Sequence, residues 1–178
     1  VLSVAGDVES MLGYSASSIL QGTVSIPALF HPDDQDVLAA MLGIQPRSAS
    51  QPQHHHACNL RMRLANGRIR CLVAHYDQEL TATGVVLNLR LRDAKSLFDP
   101  VNALTADTGF RLMMENTNDF IFFKDRNHVF TSASQTLVSV TQPSRHWTDL
   151  IGQTDYDVFP EAYADIYYRL EKQVFAGM

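Results

Sequence analysis

Leu29-Phe30-His31-Pro32-Asp33-Asp34 and Val158-Phe159-Pro160-Glu161 are one step written twice. Each places an aromatic residue just before a proline and an acid just after it. Proline suits the first turn of a helix, where its missing N–H costs nothing. Acids in that turn face the positive end of the helix dipole. Matching lead-ins precede the step. The first copy carries Met11-Leu12-Gly13-Tyr14 and Ile19-Leu20-Gln21-Gly22, and the second Asp149-Leu150-Ile151-Gly152-Gln153 and Tyr156-Asp157. Each step then runs into an amphipathic pattern. Internal repetition describes architecture before chemistry, and here it implies two copies of a small α+β module.

Around the first copy, residues 1–5 read as a short strand and Gly6-Asp7 breaks it. Asp7 caps a helical turn over residues 8–13, and Ser15 caps another that stops at Gly22. After Pro32, Val37, Leu38, Met41 and Leu42 recur at helical spacing until Gly43. Residues 45–53, with Pro46, Pro52 and three serines, read as a loop. A hairpin follows, with residues 58–64 and 68–76 on either side of Asn66-Gly67. Treated as a two-residue turn, Asn66-Gly67 pairs Leu64 with Ile69, Met62 with Cys71, Leu60 with Val73 and Cys58 with His75. That register collects apolar and soft side chains on one face, leaving Arg61, Arg63, Arg68 and Arg70 on the other. Residues 85–91 form a third strand.

Asp99-Pro100 marks a boundary, since a residue before proline resists helix. Leu97, Phe98, Val101 and Leu104 make that stretch too apolar for a free linker. A helix over residues 107–115 carries Phe110, Met113 and Met114 on one face. A second hairpin, residues 119–124 and 128–132, turns at Asp125-Arg126-Asn127. Pro160 opens the longest helix, whose apolar stripe is Tyr163, Ile166, Tyr167, Leu170 and Val174.

The chain has 178 residues, 46% of them hydrophobic, enough for one or two packed domains. No apolar run reaches the ~20 residues that span a bilayer. A charged-then-apolar leader is lacking, and the chain begins without Met, so we expect a piece of a longer, cytoplasmic protein. Formal net charge is -5 with His neutral, and no long basic stripe is present, which argues against nucleic acid as a partner. The two cysteines, Cys58 and Cys71, make no disulfide framework.

The ordered motifs resemble the PAS family. Gly13-Tyr14, Leu20-Gln21-Gly22 and His31-Pro32-Asp33-Asp34 match its early helices, and Arg61, Arg63, Asn66 and Gly67 match its later hairpin. In the second copy, Lys124-Asp125-Arg126-Asn127 and Gly152-Gln153-Thr154-Asp155-Tyr156-Asp157 are similar to a common PAS subtype. The resemblance implies an α+β fold with an antiparallel five-stranded sheet and short helices on one face. It places a first domain over residues 1–96, a connecting segment over 97–116 and the start of a second domain over 117–178. The first copy begins at the family's second strand, and the second stops before its last three. Further chain or a neighbouring copy is therefore expected to complete each sheet. The family's Asp-Ile-Thr exit motif reads Asp93-Ala94-Lys95 here. The implied role is sensory, with a homodimer formed through PAS or connecting-segment contacts. Downstream, a diguanylate cyclase or phosphodiesterase of cyclic di-GMP signalling is expected in the same polypeptide, or alternatively a histidine kinase.

Haem and flavin occur in the family, but no specific motif for either is present. Neither cysteine stands in the Asn-Cys-Arg-Phe setting of flavin photoreceptors. The pocket candidates are Met11, Tyr14, Phe30, Met41, Cys58, Leu60 and Met62 in the first copy. In the second they are Phe122, Trp147, Tyr156 and Tyr163, where buried Tyr hydroxyls and the Trp N–H need partners. Core packing is the competing role for all of them. His54, His55 and His56 cannot all face one ion from a strand, since neighbours alternate sides, so at most His54 and His56 could share one. His56, Cys58 and His75 are the remaining metal candidates, against an inert core cysteine. His31 reads as a helix buttress rather than a haem ligand. No phosphate loop, His-Glu-x-x-His, nucleophile elbow, Cys-x-x-Cys or Gly-Gly-Asp-Glu-Phe is found, so no catalytic set is expected.

Overall fold

The computed structural model describes residues 3–43, 56–82, 84–99 and 108–177. The chain divides into two compact units, Val1–Asp93 and Ala94–Met178. The loop predicted over residues 45–53 and the histidines His54 and His55 lie outside the described residues.

In the first unit the caps fall where the side-chain chemistry demands. The Asp7 carboxylate accepts the Ser10 N–H at 3.0 Å and opens α1 (Val8–Leu12). Ser15 Oγ accepts the Ser18 N–H at 3.2 Å and opens α2 (Ala16–Leu20). A short helix not predicted from the sequence, α3 (Ile26–Leu29), carries Pro27 in its first turn. A 3-10 turn over Pro32–Asp34 then leads into α4 (Gln35–Gly43). Residues 3–5 are irregular rather than the predicted strand. A strand needs a neighbour to take its backbone hydrogen bonds, and none pairs with them among the described residues.

The sheet of this unit contains β1 (His56–Arg63), β2 (Ile69–Thr81) and β3 (Gly84–Asp93), antiparallel in the order β1-β2-β3. The predicted hairpin register is off by one residue. Leu64 N–H donates to Arg68 O at 2.8 Å, Gly67 N–H donates to Leu64 O at 2.9 Å, and Gly67 sits at φ 83. This is a three-residue loop with a left-handed glycine, not a two-residue turn. The additional residue slips every partner. Cys58 therefore faces Ala74, Leu60 faces Leu72 and Met62 faces Arg70, while Arg61 faces Cys71. The arginines no longer share a face: Arg61 and Arg63 stand on one, Arg70 on the other.

Leu60, Met62, Leu72 and Ala74 form the sheet side of the core, against Leu12, Leu29, Phe30, Leu38 and Met41 from the helical side. Phe30 bridges to Met62, and His31 N–H donates to Arg61 O at 2.9 Å. The segment before α4 is thus fastened along the free edge of β1.

The second unit begins with a 3-10 turn, Ala94–Leu97, and contains α5 (Thr108–Asn116). The hairpin of β4 (Phe122–Lys124) and β5 (Phe130–Ala133) turns where predicted. Asp125 Oδ1 accepts the N–H groups of Asn127 and Val129 at 2.8 and 3.0 Å, and His128 takes φ 66. Then follow α6 (Gln135–Val138), a 3-10 turn at Trp147–Leu150, α7 (Asp155–Val158) and α8 (Glu161–Phe175). Trp147 packs with Phe130, Leu137, Leu150 and Val158 as the core.

Two predicted faces differ. On α5, Met114 is buried but Met113 is 47% exposed. On α8, the apolar stripe points outward: Tyr163, Ile166, Leu170 and Val174 are all exposed. The inward face carries Ala164, Tyr168 and Glu171, because polar partners on the hairpin hold it there. The duplicated step keeps its local geometry in both units. A left-handed glycine (Gly22 at φ 75, Gly152 at φ 79) precedes a short helix, then an extended Phe30 or Phe159, then proline and the next helix.

Candidate functional site

The first unit's pocket candidates all belong to its core. Phe30, Met41, Leu60 and Met62 are buried together, with Met11, Tyr14 and Cys58 packed at the margin. The metal candidates do not converge. Cys58 and His56 share the helix-side face of β1, where His56 stacks on Tyr76 with centroids 5.2 Å apart. His75, paired with Ala57, stands on the opposite face. The three-residue loop is the cause, since it separates the Cys58–His75 pair.

His31 is 4% exposed, and its Nδ1 accepts the Asp33 N–H at 3.3 Å. It caps the start of the 3-10 turn, the buttress role predicted for it. Beside it Asp34 receives Arg61 three times: backbone N–H at 2.8 Å, Nε at 2.9 Å and Nη2 at 2.8 Å. Both side chains are buried. This forked pair ties the 3-10 turn ahead of α4 to β1 and answers the desolvation of both charges.

The second unit holds an open cavity of about 940 Å³. Phe120 and Phe122 line it from the hairpin side, and Phe159 and Tyr163 from the entry to α8. Asp155, Asp157 and Gln142 supply polar groups. Volume and lining suit a small organic molecule. Of the four candidates from this unit, Phe122 and Tyr163 reach the cavity. Tyr156 instead donates its hydroxyl to Asp165 Oδ1 at 2.7 Å. Trp147 is core, 1% exposed, and its indole N–H meets no acceptor among the described residues.

Next to the cavity four ionisable side chains come together. Lys124 Nζ, at the end of β4, donates to Asp155 Oδ2 of α7 and to Glu171 Oε1 of α8. His128 Nδ1, from the hairpin turn, lies 2.7 Å from Glu171 Oε2. The His128 ring stacks on Tyr168 at 4.1 Å and meets Phe175 edge-on at 5.2 Å. Lys124 also lies over the Phe130 ring, 4.2 Å from its centre. Lys124 and Asp155 are each 3% exposed in their side chains, Glu171 12%.

One lysine cannot neutralise two buried carboxylates. Burial pushes the Asp155 carboxyl up to about 7; the Glu171 charge adds to this and Lys124 opposes it. Burial also raises Glu171, but the hydrogen bond from His128 and the charge of Lys124 outweigh it and hold Glu171 below its ordinary value. Ionisation is disfavoured at the more buried carboxyl, Asp155. Asp157 is separate: burial raises it, but Thr154 and Lys95 more than compensate and leave it lowered. In the sequence Asp155 stands only within the Gly152–Asp157 step, and Glu171 falls in no motif. The spacing of Ala164, Tyr168 and Glu171, four then three, was the available signal.

Residues 1–85 match the family model described as PAS fold. That match, on a unit of capped short helices over an antiparallel sheet, identifies the first unit as a PAS domain. PAS domains serve in general as sensory or regulatory modules. No curated protein matches the chain. No helix among the described residues is long and apolar enough to cross a membrane.

Proposed function

We propose that this chain is the sensory segment of a multidomain signalling protein, with two PAS-type modules in tandem, each built on the family's five-stranded plan. The second unit repeats the first unit's glycine–short helix–Phe–Pro geometry, which supports the tandem reading. The observation that carries a binding role is the aromatic-lined cavity of about 940 Å³ beside Asp155. Occupancy shifts a population between two helix arrangements, and only a ligand with different affinity for the two can do so. The effector in the same polypeptide is a diguanylate cyclase or phosphodiesterase, with a histidine kinase as the alternative.

A ligand-free docking module is the second reading, favoured by the outward apolar stripe on α8. Absorbance scans and sedimentation across concentration separate the two. A visible or near-ultraviolet band beyond the aromatic envelope supports ligand sensing. A colourless protein that dimerises with rising concentration supports docking. A monomer at every concentration that also carries no bound mass contradicts both.

A further inference from the structure

We propose that Lys124, Asp155, Glu171 and His128 form a proton-operated latch that holds α8 against the β4–β5 hairpin. The latch is closed when one of the two carboxyls holds a proton and loosened when both carboxylates are charged.

The argument begins with a charge count. Lys124 brings one positive charge to two carboxylates in a nearly water-free site. With both carboxylates ionised, they carry one more negative charge than Lys124 balances, which burial makes costly. One proton, on Asp155, balances the pair of carboxyls against Lys124. The groups come from four places in the fold: β4, the hairpin turn, α7 and α8. Separating α8 from the hairpin removes Glu171 from Asp155, so relief of the excess charge and release of the helix are the same motion.

Neighbouring charges are otherwise committed. Asp157 caps Thr154 and pairs with Lys95 at 3.0 Å, Asp165 accepts from Tyr156, and Asp125 accepts backbone N–H groups of its own turn. Against His128, α8 presents Glu171 and the rings of Tyr168 and Phe175. The upward shift of Asp155, to about 7, places the transition near neutral pH. This device acts without a ligand and goes beyond the sensory reading above.

Hydrogen exchange of the 178-residue chain between pH 5 and 8.5, corrected for intrinsic rates, tests it. Protection of α8 falls about tenfold per pH unit from 5 to 7 and then levels off, following the proton bound by the closed state. Amides of β1 and β2 serve as the internal reference and keep their protection. Asp155→Asn holds α8 protected across the range. Glu171→Gln leaves a balanced Lys124–Asp155 pair and also flattens the profile, so it serves if Asp155→Asn does not fold. His128→Gln, which keeps Lys124 and both carboxyls, leaves the slope intact. A flat wild-type profile, or a wild-type slope kept by both carboxyl variants, overturns the latch.

Discussion

Asp34 and Arg61 show how much a single pair can organise. Separated by 27 residues, they close the 3-10 turn ahead of α4 onto β1 through three hydrogen bonds to one carboxylate. Asp34→Ala takes the two-oxygen partner from a buried guanidinium, leaving the exposed Asp33 at 3.8 Å as a weaker one, so it is expected to cost about 3–5 kcal/mol in urea unfolding. Asp34→Ala with Arg61→Met removes both charges and is expected to recover part of that loss. Equal or greater loss in the double variant contradicts this account. The sequence placed Asp34 correctly in a helical first turn, because capping is local. Arg61 was assigned to an arginine face, because its partner is distant and no local pattern encodes it.

Asp155 sets a second expectation at this scale. Its carboxyl is raised in the fold from 3.8 to about 7. The stability it contributes is complete below the unfolded value and is lost as pH rises through the folded one. Glu171 is lowered and works oppositely: its contribution is present above the ordinary value of 4.5 and is lost as pH falls. The Trp147-monitored melting temperature is therefore expected to fall from pH 5.5 to 7.5, and to stay level in Asp155→Asn. Trp147 is the chain's one tryptophan and lies in the core of the second unit, so its emission reports that unit.

Among the elements, the β1–β2 hairpin and α8 teach the same lesson in different ways. Hairpin existence was legible from alternation and Asn66-Gly67. Its register was not, because Gly67 serves a three-residue loop as readily as a two-residue one. That single residue decides whether Cys58 meets His75 or Ala74. On α8 the helical period was legible, but its inward face was not. The stripe of Tyr163, Ile166, Leu170 and Val174 is the more apolar, yet Tyr168 and Glu171 are held inward by His128 and Lys124. Tyr168→Ala is accordingly expected to cost about 3–5 kcal/mol. Ile166→Lys should stay within about 0.5 kcal/mol, as an exposed substitution does. Thermal or urea unfolding of both variants checks this, and the reverse order would place the stripe in the core.

For the whole molecule, the family of the first unit was legible because its motifs are local steps in fixed order: Gly13-Tyr14, His31-Pro32 and Asn66-Gly67. The candidate site was only half legible. Phe122 and Tyr163 reach the cavity, whereas Trp147 and Tyr156 satisfy packing and a hydrogen bond instead. The ionic cluster beside it was missed, since it assembles four elements that no sequence window contains. What joins the scales is a module with an aromatic-lined cavity, an outward apolar helix face and two buried carboxyls against one lysine. Each of these suits changing state more than transforming a substrate.

Native mass spectrometry of the purified chain tests that most directly, because it reads bound mass and subunit number together. The account predicts either a chain carrying a small-molecule adduct or a dimer that grows with concentration. A bare monomer at every concentration would contradict it.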